Sequence, residues 1–160
     1  MSSNYKQVVE FNNAFGVETN TIPKPELFKE DPKLVNYRVS LIKEEVSELL
    51  DAVNNHDFVE TIDALTDILY VTYGAFTAFG IDADKAFSLV HKSNMSKLCK
   101  TEKEAIDTVE WYKKNESERY DSPAYRLSDD NVHYVVYNVS TKKILKSIYY
   151  SPVKFDSLIN

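Results

Sequence analysis

The segment from Phe58 to Phe79 restricts the folds open to this 160-residue chain more than any other part of it. Its apolar residues fall on nearly every side of a helix, a pattern typical of a helix buried in a bundle. Three acids, Glu60, Asp63 and Asp67, nevertheless stack on one face of that helix at spacings of three and four residues. The neighbouring elements must therefore accommodate a line of carboxylates beside an apolar surface.

Four further helices and a short β segment are predicted around this helix. The helices are expected over residues 5–15, 32–53, 83–93 and 102–115, where apolar residues recur at helical spacing. The predicted helix ends are marked by Asp31-Pro32, Asp57, Gly80, Asp82 and a capping box of Thr101 and Glu104. Residues 132–138 and 144–150, rich in Val, Ile and Tyr, predict two β-strands joined by residues 139–143.

The predicted fold class is mainly α, with a helical domain over residues 1–117 and a C-terminal β appendage over residues 118–160. The appendage is expected to be a small hairpin or meander. A composition with 43% hydrophobic and 28% charged residues is typical of a globular protein with a sizeable core. A net charge of -6 argues against binding to nucleic acid.

The sequence also indicates where such a chain works. No stretch is long and apolar enough to predict a transmembrane helix, and the first residues lack the apolar region of a signal peptide. A single cysteine, Cys99, suggests a reducing compartment. We therefore expect a cytoplasmic protein that associates with neither a membrane nor nucleic acid.

A second acid-rich helix, predicted over residues 32–53, accompanies the first. Glu45 and Glu48 project from one side of its apolar stripe, and Glu44 lies further toward solvent. Between Glu44 and Asp84 the sequence contains ten acids and no lysine or arginine. Gathered carboxylates need protonation, a base from elsewhere in the chain, or a divalent cation, and oxygen ligands on facing helices suit Mg²⁺ or Mn²⁺. The alternative is that these acids face solvent or a subunit interface.

The motif EExxE at residues 44–48, followed by ExxD at residues 60–63, resembles the all-α nucleoside triphosphate pyrophosphohydrolase superfamily. That superfamily includes the MazG proteins, the dimeric dUTPases and phosphoribosyl-ATP pyrophosphohydrolase. The segments DALTDILYVTYGAFTAFGID and AFSLVHKSNMSKL are similar to the MazG-like branch, and the resemblance extends from residue 5 to about residue 98. It implies a MazG-like four- to five-helix bundle and assigns no role to residues after about 117.

The resemblance implies that Glu45, Glu48, Glu60 and Asp63 bind Mg²⁺, with Mn²⁺ as a substitute. The implied reaction cleaves a nucleoside triphosphate between its α and β phosphates, with water activated by the metal and the catalytic acids Glu44, Glu45 and Glu48. The expected substrate is a deoxynucleoside triphosphate such as dUTP or dGTP. The alternatives are a phosphoribosyl-ATP pyrophosphohydrolase and a non-catalytic helical module that binds nucleotide or oligomerises.

Six residues are expected to contact the substrate. Asn12 is a candidate for reading a base edge, with Phe11 or Phe15 stacking on the base; the alternative is an Asn12 that is exposed or satisfied within the core. Arg38 is a candidate for binding phosphate or bracing the acids. The others are Asp67, in a supporting role one turn beyond Asp63, and Asn94 and Lys97, which could bind phosphate or sugar. Trp111 is assigned to packing or a subunit contact. Because residues 58–79 are apolar on more faces than one small bundle covers, we expect a homodimer or homotetramer.

Overall fold

The architecture is that of a mainly helical chain with one small antiparallel sheet, described for residues 2–159 in a computed structural model. The helices are α1 (Asn4–Ala14), α2 (Leu27–Glu30), α3 (Pro32–Asn54), α4 (Phe58–Phe79), α5 (Ala83–Met95), α6 (Glu102–Asn115) and α7 (Asp156–Ile159). The strands are β1 (Pro123–Leu127) and β2 (Tyr134–Asn138). The predicted fold class is confirmed. No single helix in this part of the chain is long and apolar enough to cross a membrane. The bent pair of α4 and α5 meets the criterion for length and apolar composition only when the two helices are taken together.

The helix ends follow the capping chemistry that the sequence predicts. The Asp31 carboxylate accepts from the backbone N–H of Leu34 at the start of α3, and Asp57 does the same for Val59 and Glu60 at the start of α4. Thr101 Oγ1 likewise accepts from the backbone of the third residue of α6. Local side-chain chemistry therefore sets the starts of these helices.

The chain forms two compact units. The first contains residues up to Phe87 together with those from Phe155 onward, and the second is Ser88–Lys154. The domain boundary expected after residue 117 stays a prediction.

In the first unit, α3 and α4 form a long helical hairpin joined by residues 55–57, with α1 packed on α4 and α2 on α3. Small residues, including Ala52 and Ala64, are buried in this unit and let helices approach closely. Large apolar residues of α4 stay about half exposed in a single chain, namely Ile62, Leu65 and Leu69. The prediction that α4 is buried is therefore wrong for one chain on its own, because only part of its surface is covered.

The C-terminus of α4 is completed by the loop over residues 17–26. The backbone N–H groups of Asn20 and Lys24 donate to the carbonyls of Thr77 and Phe79, at 2.9 Å in both cases, and thus satisfy groups that a helix end leaves unpaired. Gly80 then ends the helix with φ at +68°.

Gly80 is expected to tolerate no side chain. A Cβ atom there would lie 2.0 Å from the carbonyl oxygen of Ile22, whereas a Cβ on Gly16, at a nearly identical φ of +66°, would meet nothing within 4 Å. Both alanine variants carry the same backbone strain, of order 1 kcal/mol. Thermal denaturation should therefore show a larger loss of Tm for Gly80→Ala than for Gly16→Ala. Equal losses would show that the loop moves aside freely.

In the second unit, α6 packs against both strands of the sheet. The core contains Cys99, Val109, Tyr112, Val136 and Leu145, all less than a tenth exposed. The unit thus has an apolar core of its own.

The prediction of a strand over residues 144–150 is wrong. Strand β2 pairs with β1, with Pro123 opposite Asn138 and Leu127 opposite Tyr134. Residues 144–150 contribute only an isolated bridge, because two of their backbone N–H groups donate to side chains of α6, those of Lys146 to Tyr112 Oη and of Ile148 to Thr108 Oγ1. The β1 segment was missed because polar, turn-rich residues surround it.

Candidate functional site

The register of α3 against α4 is marked by Arg38 and Gly74. A Cβ on Gly74 would lie 3.0 Å from Arg38 Nη1, so the arginine side chain reaches across the hairpin, and both positions lie sixteen residues from the helix ends at the connecting turn, Asn54 and Phe58. Counting from this pair toward the connecting turn places Glu45 level with Asp67, since successive residues rise by about 1.5 Å in both helices. The acids of the two helices therefore meet midway along the hairpin.

Glu45 lies at the centre of this acidic group. Its side chain is half-buried, and burial raises the pKa of its carboxyl above the ordinary value. The negative charges of Glu48, Asp67, Glu44 and Asp63 raise that pKa further. The carboxylates predicted to act together thus influence one another electrostatically.

Glu60 is placed differently from the other predicted metal ligands. It lies seven residues before Asp67 on α4, which is about 10 Å along the helix axis, and its backbone N–H donates to the Asp57 cap. Asp67, expected only in a supporting role, acts on the Glu45 carboxyl more strongly than Asp63 does. The acids whose charges act on Glu45 are Glu48, Asp67, Glu44 and Asp63, and Glu60 is not among them. Metal binding by Glu60 stays a prediction.

The carboxylate oxygens of the acidic group around Glu45 are of the type that binds a divalent cation. Within residues 2–159, no three Asp, Glu, His or Cys side chains converge closely enough to hold a metal ion. The carboxylates are nevertheless hard oxygen donors from facing helices, and a cation would remove the repulsion that raises the pKa of Glu45. Glu48 and Asp63 are exposed, so rotation of their side chains toward Glu45 and Asp67 requires no repacking of the core.

Arg38 is a buried cation on the same face of α3 as Glu45. Only 6% of the residue is exposed, and its Nε and Nη2 atoms are buried without a hydrogen-bond partner among the described residues. Burial lowers the pKa of the guanidinium. An unpaired buried charge costs several kcal/mol, and an anion beside this side chain would offset that cost.

Two residues near Arg38, Gly74 and Thr77, were not predicted as part of the site. Asn12 Nδ2 donates to Thr77 Oγ1 at 3.0 Å, and that hydroxyl donates to the carbonyl of Gly74 at 2.8 Å. The Asn12 amide is therefore buried and directed at α4, and its role in reading a base stays a prediction. A glycine inside a helix was the available signal for Gly74, since glycine costs about 1 kcal/mol there unless space is required.

Phe15 lies on an exposed aromatic surface of α1. Its ring stacks on that of Phe11 with the centroids 4.3 Å apart, and Phe11 in turn meets the edge of Tyr70 at 5.6 Å. Phe15 is 70% exposed, so a flat ligand can reach its ring. Its stacking role is compatible with this placement and stays a prediction.

Asn94 and Lys97 belong to the second compact unit. Lys97 Nζ donates to Asn94 Oδ1 at 2.8 Å at the end of α5, which brings these two predicted substrate-binding residues together. Their contact with substrate stays a prediction.

A helical hairpin that carries the EExxE motif on α3 and the ExxD motif on α4 is consistent with the all-α nucleoside triphosphate pyrophosphohydrolase superfamily, which the family match confirms as the class of this protein. The chain belongs to the phosphoribosyl-ATP pyrophosphohydrolase family, whose sequence model matches residues 8–94, more than half of the chain. It is also similar to the uncharacterized protein L479 of Acanthamoeba polyphaga mimivirus. The two are 32% identical in an alignment that covers 99% of this chain and 96% of the relative. The suspected superfamily is thus confirmed, and the activity is of the pyrophosphohydrolase type.

Proposed function

We propose that the chain is a Mg²⁺-dependent nucleoside triphosphate pyrophosphohydrolase that converts a deoxynucleoside triphosphate, such as dUTP or dGTP, to the monophosphate and pyrophosphate. The observation that carries the proposal is the acidic group around Glu45, within a segment that matches the pyrophosphohydrolase family. Carboxylates whose charges raise the pKa of Glu45, with no paired base among the described residues, suit the binding of a metal–triphosphate complex. We also keep the reducing cytoplasm as the proposed compartment.

The residues divide the chemistry between them. Glu45, Glu48 and Asp63 would hold Mg²⁺, with Asp67 or Glu60 completing the set, and the ion would neutralise phosphate charge and acidify water. Glu45, at the centre of the acidic group, would accept the proton of the water that attacks the α-phosphorus. The bond from the α-phosphorus to the bridging oxygen breaks, and pyrophosphate leaves. Glu44, exposed beside Glu45, would orient this water.

Arg38 would bind the polyphosphate. Its buried guanidinium has free N–H donors and lies about 10 Å along α3 from Glu45, a distance that a triphosphate and its bound cation can span. Binding of the phosphate would pair the buried charge and recover the free energy that its burial costs.

The proposal is tested by incubating the purified protein with the common nucleoside and deoxynucleoside triphosphates, dUTP and phosphoribosyl-ATP. Each is offered with Mg²⁺, with Mn²⁺ and with EDTA, and products are separated by anion exchange. Metal-dependent formation of monophosphate and pyrophosphate from one triphosphate supports the proposal and identifies the base. Turnover of phosphoribosyl-ATP alone would assign the activity named by the family, and no turnover of any substrate would favour a binding module.

We further propose that the chain is a homodimer or homotetramer assembled through the α3–α4 hairpin. Apolar side chains of this hairpin remain 41–59% exposed, namely Val46, Leu50, Val53, Ile62, Leu65 and Leu69. So much apolar surface on one hairpin is typical of a subunit interface.

Light scattering at micromolar concentration should therefore give a mass of two or four chains, and Leu65→Glu with Leu69→Glu should reduce that mass. A control variant, Phe28→Glu, changes an apolar residue on α2 that is 63% exposed and should leave the mass unchanged. A monomeric wild-type protein would contradict the proposal.

A further inference from the structure

A pocket of about 230 Å³ lies in the second unit, outside the segment that the family model matches. It is bounded by the last turn of α6, the residues that follow it and the segment 143–146. The side chains that matter here are Trp111, Tyr112, Arg119, Tyr120, Lys143 and Lys146. None of them has a role in the proposed hydrolysis.

Aromatic rings form the apolar part of this pocket. The Tyr112 ring meets Trp111 edge to face with centroids 5.1 Å apart, and it meets Tyr120 in the same way at 5.5 Å. Tyr112 and Tyr120 are each 8% exposed, whereas Trp111 is 44% exposed. Two fixed rings therefore support a third ring that a ligand can reach.

Cations form the polar part of the pocket. Arg119 Cζ lies 5.3 Å and Lys143 Nζ lies 5.5 Å from the centroid of the same Tyr120 ring. Lys146 lies beside them: its backbone N–H donates to Tyr112 Oη at 3.2 Å, and its Nζ lies 4.5 Å from the centroid of Tyr150, a ring that does not line the pocket. Within residues 2–159, none of these three cations forms an ion pair, and Glu116 is the one acid among the lining residues. The grouping occurs in a chain whose net charge is -6.

We propose that this pocket binds the phosphate group of a small phosphorylated molecule. Arg119 and Lys143, placed around one concave surface, repel one another, and an anion held between them replaces that repulsion with charge-assisted hydrogen bonds. The planar guanidinium of Arg119 matches two phosphate oxygens. A volume of about 230 Å³ is smaller than typical pockets for drug-sized ligands, which begin near 300 Å³, and therefore suits a phosphate or pyrophosphate group. A ligand that also carries a base would place it against Trp111.

The experiment uses Trp111 as the reporter, because it is the only tryptophan in the chain. The full-length protein is titrated in EDTA and low salt with inorganic phosphate, pyrophosphate, AMP and ADP, and calorimetry repeats each titration. EDTA prevents turnover and metal-dependent binding at the acidic group, so the measurement does not depend on the proposed function. A saturable signal is expected for at least one of these anions.

Two double variants locate the site. Arg119→Ala with Lys143→Ala should weaken binding at least tenfold. Lys100→Ala with Lys103→Ala removes the same charge from the same unit outside the pocket and should change affinity less than twofold. Tighter binding of AMP and ADP than of phosphate and pyrophosphate would identify a nucleotide site, and the reverse order a free phosphate or pyrophosphate site. No saturable binding of any probe, or equal weakening in both double variants, would overturn the proposal.

Discussion

Replacement of Glu45 by glutamine should abolish most of the hydrolytic activity while it stabilises the metal-free protein. Removal of a catalytic acid–base group typically lowers kcat by about 10²–10⁴-fold. The same substitution removes the charge that Glu48, Asp67, Glu44 and Asp63 repel, as the raised pKa of Glu45 shows. If the acidic group destabilises the metal-free protein in order to bind a cation, Glu45→Gln should lower activity and raise metal-free stability together.

The stability gain should depend on pH in a definite direction. Because the pKa of Glu45 is higher in the folded than in the unfolded chain, the carboxylate destabilises the folded state above that raised pKa and ceases to do so below the unfolded value. The difference in Tm between Glu45→Gln and wild type should therefore be largest at neutral pH and vanish as the solution is acidified. Asp51→Asn, which changes an exposed acid further along α3, serves as the matched control. It should change neither the hydrolytic activity nor the Tm.

Addition of Mg²⁺ gives an independent measure of the same site. A ligand that binds only the folded state raises its stability by mass action, so Mg²⁺ should raise the Tm of wild type and that of Asp51→Asn equally. Glu45→Gln should respond much less. An equal response in all three proteins would show that Glu45 is not part of the metal site.

Replacement of Arg38 by methionine is expected to have the second largest effect. A hydrogen bond to a charged group contributes about 1.5–3 kcal/mol, which corresponds to a loss in kcat/KM of roughly 10–100-fold. The loss should fall mainly on KM, and pyrophosphate should inhibit the variant less than wild type. Since two nitrogens of Arg38 are buried without a hydrogen-bond partner in the described part of the chain, the ligand-free variant should also be at least as stable as wild type.

Arg38→Lys distinguishes phosphate binding from simple packing. It keeps the charge but loses the planar guanidinium, so most of the KM defect should remain. Wild-type kinetics in Arg38→Met, together with a lower Tm, would show that Arg38 instead braces the helices.

The sequence predicted the helices well because their ends are decided locally. Asp31, Asp57, Gly80 and Thr101 act on neighbouring backbone groups, and the structure shows each of them at a helix end. The sheet could not be predicted in the same way. Pairing of β1 with β2 and the binding of residues 144–150 to α6 depend on contacts between distant parts of the chain.

The acidic site was predicted only in part, because its arrangement also depends on contacts between distant parts of the chain. Helical periodicity places Glu45 and Glu48 on one face of α3, but it does not give the register of α3 against α4. In the structure, the register brings Asp67 level with Glu45 and leaves Glu60 nearer the connecting turn. The close approach of Arg38 to Gly74, where a Cβ would lie 3.0 Å from Nη1, is not revealed by the motifs alone.

The most direct test of the central claim is the position at which water attacks the substrate. Hydrolysis of the preferred triphosphate in ¹⁸O-labelled water, followed by mass spectrometry, locates the new oxygen. Attack at the α-phosphorus predicts one labelled oxygen in the nucleoside monophosphate and none in the pyrophosphate. Label in pyrophosphate, or release of diphosphate and labelled inorganic phosphate, would contradict the proposed pyrophosphohydrolase mechanism.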